Sequence, residues 1–198
     1  MKSNLIYVVF LSLTLSFWSC KKDQKTSALI SNEATPVMDT HSYAQPDKAV
    51  VKHLSLDLTA DFAAKKISGT ASYDIIVQPG ADNIVLDSRD LEIQKVTVDD
   101  AETPFTLGTS IEWLGQPLSI PVKEGSKKIS ITYSTRPGAE ALQWLEPSQT
   151  AGKKLPYLFT QGQAILTRTW IPIQDSPGIR MTYDAKISVP KELMAVMS

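Results

Sequence analysis

Gln161 and Gln163 stand two residues apart in a mostly apolar and aromatic run, LPYLFTQGQAILTRTWIPIQDSP, Leu155 to Pro177. In an extended chain such residues point the same way. A buried carboxamide needs partners for one oxygen and two N–H donors. Leaving such a group unpaired in a core costs about 1–3 kcal/mol. A pair facing a cleft can instead take its partners from a ligand, and a pair at a strand edge from water. An amide has no usable pKa near neutrality, so the chemistry it offers is recognition and not proton transfer.

The remaining candidates point to bland roles. A zinc site requires several His, Cys or carboxylate ligands at set spacings. The sequence has two histidines, His41 and His53, and neither an HExxH nor a CxxC pattern. His41 falls in a polar segment and His53 on the polar side of an expected strand. Neither accompanies a plausible serine motif, so a hydrolytic triad is not indicated. Asp87, Asp90 and Glu92 read as a solvated strand edge and turn. Trp113 and Trp144 read as core or interface packing residues before a sugar platform.

Cys20 is the single cysteine among 198 residues. It follows a basic start at Lys2 and an apolar stretch from Leu5 to Trp18, shorter than the roughly 20 residues that span a bilayer. Residues 1–19 therefore read as a lipoprotein signal peptide. Ser16-Phe17-Trp18-Ser19 is a loose match to the cleavage signal, and Cys20 is the expected lipidation site. An ordinary signal peptide with an incidental cysteine is the alternative. Acyl chains at about 0.8 kcal/mol per buried methylene would hold the chain to a membrane. Residues 20–38 are polar, rich in Ser, Thr and Ala, and read as a flexible tether. Residues 39–198 suit one domain. With 20 basic and 21 acidic residues and no long basic run, nucleic acid is not an expected partner.

The elements that must position these residues are strands. Leu54, Leu56, Leu58, Ala60 and Phe62 alternate with Ser55, Asp57, Thr59 and Asp61. Ile67, Ala71, Tyr73, Ile75 and Val77 follow after a short AAKK connection, which predicts a hairpin. Leu91 and Ile93 continue the period, then Val96 and Val98 after a one-residue slip. Ile129, Ile131 and Tyr133 alternate, as do Met181, Tyr183, Ala185, Ile187 and Val189. Only GAEALQWLEPSQT has room for a helical turn or two. The pattern predicts an all-β fold, a sandwich or an open, curved pair of sheets.

The ordered set LQWLEPSQTAGKKLPYLFTQGQAI, IPIQDSP and TYDAKISVPKELMAVMS resembles the amino-terminal domain of leukotriene A4 hydrolase and its aminopeptidase N-like relatives. VVKHLSLDLTADFAAKKISGTASYDI and LDSRDLEI fit as well. The resemblance implies a saddle-shaped, mostly antiparallel β-sandwich-like domain over residues 39–198. It implies that Gln161 and Gln163 contact the amino end of a peptide, and that Ala164 lines the pocket for the first side chain. Gln163 stands where the aminopeptidase N branch carries Glu, so its oxygen accepts from the substrate ammonium without adding charge. Arg168 and the run Pro172, Asp175, Pro177 fit the family in a structural role, Asp175 capping a turn or accepting from Arg168. Ile173 stands where the family often has cysteine.

The resemblance places zinc, the HExxH helix and hydrolysis in a catalytic domain beyond Ser198. The expected partners are that domain, a peptide amino terminus, and a membrane through the lipid anchor. The 198 residues alone are then expected to be inactive as a peptidase and, lacking a covered apolar face, to self-associate. The expected location is the periplasmic side of a membrane or the cell surface. A different class of reading remains open: a lipid-anchored, non-catalytic β-sandwich that binds a partner or a peptide end.

Overall fold

The computed structural model describes residues 39–197. The expected signal peptide, the Cys20 lipidation site and the 20–38 tether lie outside the described residues. The described part is built from strands, as the period of two predicts. They are β1 (Ala49–Asp61), β2 (Lys66–Val77), β3 (Asn83–Ser88), β4 (Glu92–Val98), β5 (Ala101–Glu102), β6 (Thr106–Leu107), β7 (Gln116–Pro121), β8 (Lys128–Ser134), β9 (Leu142–Leu145), β10 (Tyr157–Thr160) and β11 (Thr182–Ser188). A six-stranded sheet runs β11-β1-β2-β8-β4-β5, a three-stranded sheet β3-β7-β6, and a two-stranded one β10-β9. All paired strands are antiparallel except β1 and β11, which run parallel.

The alternation decides which face is buried. Leu54, Leu56, Leu58 and Ala60 on β1 join Ala71 and Tyr73 on β2 and Ile129, Ile131 and Tyr133 on β8 in one hydrophobic cluster. Ile84 and Leu86 of β3 and Leu118 and Ile120 of β7 belong to the same cluster, so the large and three-stranded sheets share a core. Burying each such side chain is worth roughly 1.5–3 kcal/mol, enough to offset the 1–2 kcal/mol or so of backbone ordering per residue. The slip expected after Ile93 is a register shift between Ile93 and Lys95 against β8. It turns Val96 inward, where it is buried.

A second irregularity, between Val51 and His53 on β1, was not anticipated. β11 pairs with β1 only from His53 onward, so Ala49 to Val51 lack a strand on that side. A side chain takes its place. The Gln174 Oε1 accepts from the Val51 N–H at 2.9 Å, and its Nε2 donates to the Ala49 carbonyl at 2.9 Å. Gln174 is buried, and both functions of its amide are used. Tyr73 ties the same loop down by donating its hydroxyl to the Pro172 carbonyl.

GAEALQWLEPSQT forms β9 and then one 3-10 turn, Pro147–Gln149, so it does hold a helical turn. Of the other readings, that of Asp87 needs correction. Trp144 packs as expected, edge-on to Phe62 with ring centroids 5.1 Å apart. Trp113, by contrast, is half exposed and touches the His41 ring edge-on. Asp87 is not solvated: it is fully buried, because no position of β3 is exposed and Ser42, Tyr43 and Asp175 close over its carboxylate.

Candidate functional site

β10 carries the run that ends in the two glutamines. Against β9 it pairs Tyr157 with Leu145, Leu158 with Trp144, Phe159 with Gln143 and Thr160 with Leu142. Leu158 and Trp144 pack against the core. The alternate positions, Tyr157 and Phe159, are 54% and 41% exposed, so this hairpin presents an aromatic face outward.

The strand stops at Thr160, one residue short of Gln161. The Gln161 N–H donates to the Ala141 carbonyl at 2.9 Å. Beyond it the chain turns, so the extended geometry assumed for the pair holds for Gln161 and fails at Gln163. The amides are linked in another way: Gln161 Oε1 accepts from the Gln163 backbone N–H at 2.9 Å. The carboxamide of Gln163 has no hydrogen-bond partner among the described residues, and Gln161, Gln163 and Ala164 are all exposed. The Gln163–Ala164 peptide is cis. The Leu166 N–H closes the turn on the Gly162 carbonyl at 2.8 Å.

The turn feeds a 3-10 segment, Thr167–Thr169, that contains the largest fully buried side chain. Arg168 Nη1 donates to the Leu114 carbonyl at 2.8 Å, and Nη2 to the carbonyls of His41 at 2.7 Å and Asp175 at 3.1 Å. Its Nε and its backbone N–H both reach Asp175 Oδ2 at 3.2 Å. Asp87 Oδ1 lies 3.6 Å from Nη1. Asp87 in turn accepts from the Ser42 hydroxyl at 2.6 Å, the Tyr43 N–H at 2.7 Å and the Asp175 N–H at 2.9 Å. The expected Asp175–Arg168 bond is therefore present. Asp87 and the His41 carbonyl are partners that the sequence did not indicate. Burial pushes the Asp175 carboxyl above the usual carboxylate range, against the pull of its bonds from Arg168.

Four carboxylates, Asp39 half-buried and the others exposed, shift the other way. Asp39 is lowered by the Ser176 hydroxyl, Glu92 by Lys66, Asp99 by the Lys127 N–H, and Asp184 by His53. A depressed folded pKa gives stability that is complete above the unfolded value, near 4, and is lost as pH falls through the folded value. Asp175 has the opposite sign, favouring the fold as pH falls toward 4. Asp39, Glu92, Asp99 and Asp184 each contribute a decline of the urea midpoint as pH is taken below about 4. Asp99→Asn should make that decline shallower. A midpoint that holds or rises on acidification, read from urea titrations at a series of pH values, would contradict this assignment.

Chemically, the turn offers hydrogen-bond donors and acceptors without a proton to exchange. No group of three or more His, Cys, Asp or Glu that could hold a metal occurs among the described residues. His53 does meet a hydroxyl and a carboxylate, Thr182 Oγ1 and Asp184 Oδ2, each at 2.7 Å. These three lie across the paired strands β1 and β11, at exposed contacts.

Known proteins resemble this chain in sequence and fold. The family model of the Peptidase M1 N-terminal domain matches residues 46–198. Leukotriene A-4 hydrolase of Xenopus laevis is 41% identical over 166 residues, which cover 81% of this chain and 27% of that protein. Leucine aminopeptidase 2 of Yarrowia lipolytica is 40% identical over 141 residues, 70% of this chain and 22% of that protein. The structure of native leukotriene A4 hydrolase from Saccharomyces cerevisiae superposes with a TM-score of 0.73 at 30% identity, covering 79% of this chain and 26% of that one. An M1 zinc metallopeptidase from Deinococcus radiodurans shares the fold at 18% identity, with a TM-score of 0.54 over 75% of this chain and 34% of its own. The chain thus spans about a quarter of the length of the curated relatives it matches. With the family model covering all of the strands described, the chain belongs to the Peptidase M1 N-terminal domain family.

Proposed function

We propose that residues 39–198 are the substrate-cleft domain of an exported zinc aminopeptidase similar to leukotriene A4 hydrolase. In this reading Gln161 and Gln163 hold the amino end of a bound peptide and Ala164 borders the pocket for its first side chain. The observation that carries the reading is the exposed Gln163 carboxamide, unpartnered among the described residues, in a chain of this family. Its oxygen can accept from a peptide ammonium, and its two N–H donors remain for a carbonyl. The outward aromatic face of β10, Tyr157 and Phe159, suits a partner domain beside the turn.

The described residues do not fit a catalytic zinc. Water activation belongs to the catalytic domain we expect as the partner, and this chain alone is expected to cleave nothing. We also propose that Cys20 is lipidated and holds the domain at a membrane facing the periplasm or the cell exterior. Metabolic labelling with a fatty acid should mark the wild-type chain and not Cys20→Ser.

The recognition role is tested by grafting. Residues 39–198 replace the matched segment of yeast leukotriene A4 hydrolase, and hydrolysis of a leucine anilide is followed with and without a chelator. The chain alone should be inactive and the chimera active. Gln163→Ala in the chimera should raise KM about 10- to 100-fold, the equivalent of one lost hydrogen bond to a charged group. Chelator-sensitive cleavage by the chain alone, or an unchanged KM for Gln163→Ala, would refute the reading. Should the chimera fail to assemble, titration of the chain with a tripeptide is the second readout. A shift of the Gln163 side-chain amide resonances supports the role, and no shift at millimolar tripeptide opposes it.

A further inference from the structure

The family match begins at residue 46, yet the residues just before it are built into the molecule. Asp39 Oδ2 accepts from the Ser176 hydroxyl at 2.6 Å. The His41 carbonyl receives Arg168, and Ser42 and Tyr43 close over Asp87. The Tyr43 hydroxyl donates to the Gly115 carbonyl at 3.2 Å, and the His41 ring lies 5.9 Å from that of Trp113. The strap of residues 39–45 thus covers one side of the buried Arg168 node.

From that node a continuous path of bonds reaches the glutamine turn. Thr169, next to Arg168, accepts the Ala141 N–H on its Oγ1 at 3.1 Å. The Ala141 carbonyl accepts the Gln161 N–H. On the other side, Leu166 closes on Gly162, and the chain enters the 3-10 segment that Arg168 anchors. The turn is exposed, and its own bonds are few. Its place is therefore set by these two anchored ends.

We infer that the strap is a clasp for the glutamine turn, with Arg168 as the positioning residue through which it acts. The turn holds its shape when residues 39–45 are seated on Asp87 and Arg168, and loosens when they are not. Peptide recognition then depends on a segment that touches no substrate. That consequence rests on the function proposed above, whereas the clasp itself can be tested without a ligand.

The test uses the full chain and the double variant Ser42→Ala, Tyr43→Phe, which removes three of the strap's bonds, Ser42 to Asp87, Ala44 N–H to Ser42 and Tyr43 to Gly115, and leaves the turn and Arg168 intact. Amide hydrogen exchange is followed at Gln161 and Leu166, the two ends of the turn, and at Ile131 in β8 as a measure of global opening. The ends of the turn are expected to exchange about tenfold faster relative to Ile131. A chain truncated before Ala44 should show the same pattern more strongly. Unchanged exchange at Gln161 and Leu166, or a rise in step with Ile131, would overturn the clasp, since a strap that merely stabilises the domain moves all three together. Tripeptide titration of the wild type separates the two claims. Local loosening in the variant without any tripeptide effect on Gln163 in the wild type keeps the clasp and removes the recognition role.

Discussion

Replacing Arg168 with Met is expected to cost about 3–5 kcal/mol, the loss typical of breaking a buried ion pair from one side. The geometry supports the upper part of that range. Asp175 would lose the guanidinium Nε, and Asp87 the neighbouring positive charge, with both still held in the interior. The carbonyls of His41, Leu114 and Asp175 would lose their donor at the same time. Asp87 retains three other donors, so it does not become an isolated charge. Against a total stability of 5–15 kcal/mol, about 3–5 leaves a domain that is marginal or unfolded. Urea unfolding followed by tryptophan fluorescence should show a much lower midpoint. Arg168→Lys should recover only part of it, because one ammonium cannot serve three carbonyls and a carboxylate in the directions a planar fork does. A midpoint near that of the wild type for Arg168→Met would show that the node contributes little.

Gly69→Ala is the second large effect, and its cause is steric. Gly69 lies opposite Leu58 in the β1–β2 ladder with φ of +148°, which side-chain-bearing residues rarely adopt. A Cβ there would stand 2.1 Å from the Asp57 carbonyl oxygen and 2.9 Å from the Leu58 Cα. Both obstacles are backbone atoms of the neighbouring strand, so no rotamer change makes room, and two central strands must part. A loss of roughly 3 kcal/mol, the upper part of the range for overpacking, is expected. Gly80→Ala is the control. Its φ of +80° also favours glycine, but nothing lies within 4 Å of the added atom, so only the conformational cost of roughly 1–2 kcal/mol applies. If the two variants melt together in a thermal scan, crowding at Gly69 is not the cause.

The strands and their inward faces were readable in the sequence because alternation is a local property. The slip between Ile93 and Val96 was visible for the same reason, since two phases of one pattern meet there. What escaped depends on distant residues. Asp87 ends a strand in a polar-looking stretch, LDSRDLEI, and nothing nearby reveals that Arg168 and Ser42 close over it. Gln174 sits between Ile173 and Asp175 as an ordinary loop residue. Its task, standing in for a strand beside Ala49 and Val51, exists only once the two ends of the domain meet. The glutamine pair stands out by type and spacing, but its geometry does not follow from them, because the two-residue period ends at Thr160 and the chain then turns.

The parallel pairing of β1 with β11 has a consequence for biosynthesis. A ribosome completes the first of these strands long before the last, and the Gln174 amide that occupies the rest of that flank also arrives late. The emerging polypeptide can zip β1 to β2 at once, but it carries an open flank until nearly the whole domain has been made. Such long-range closure slows folding and leaves the nascent form exposed to wrong pairings.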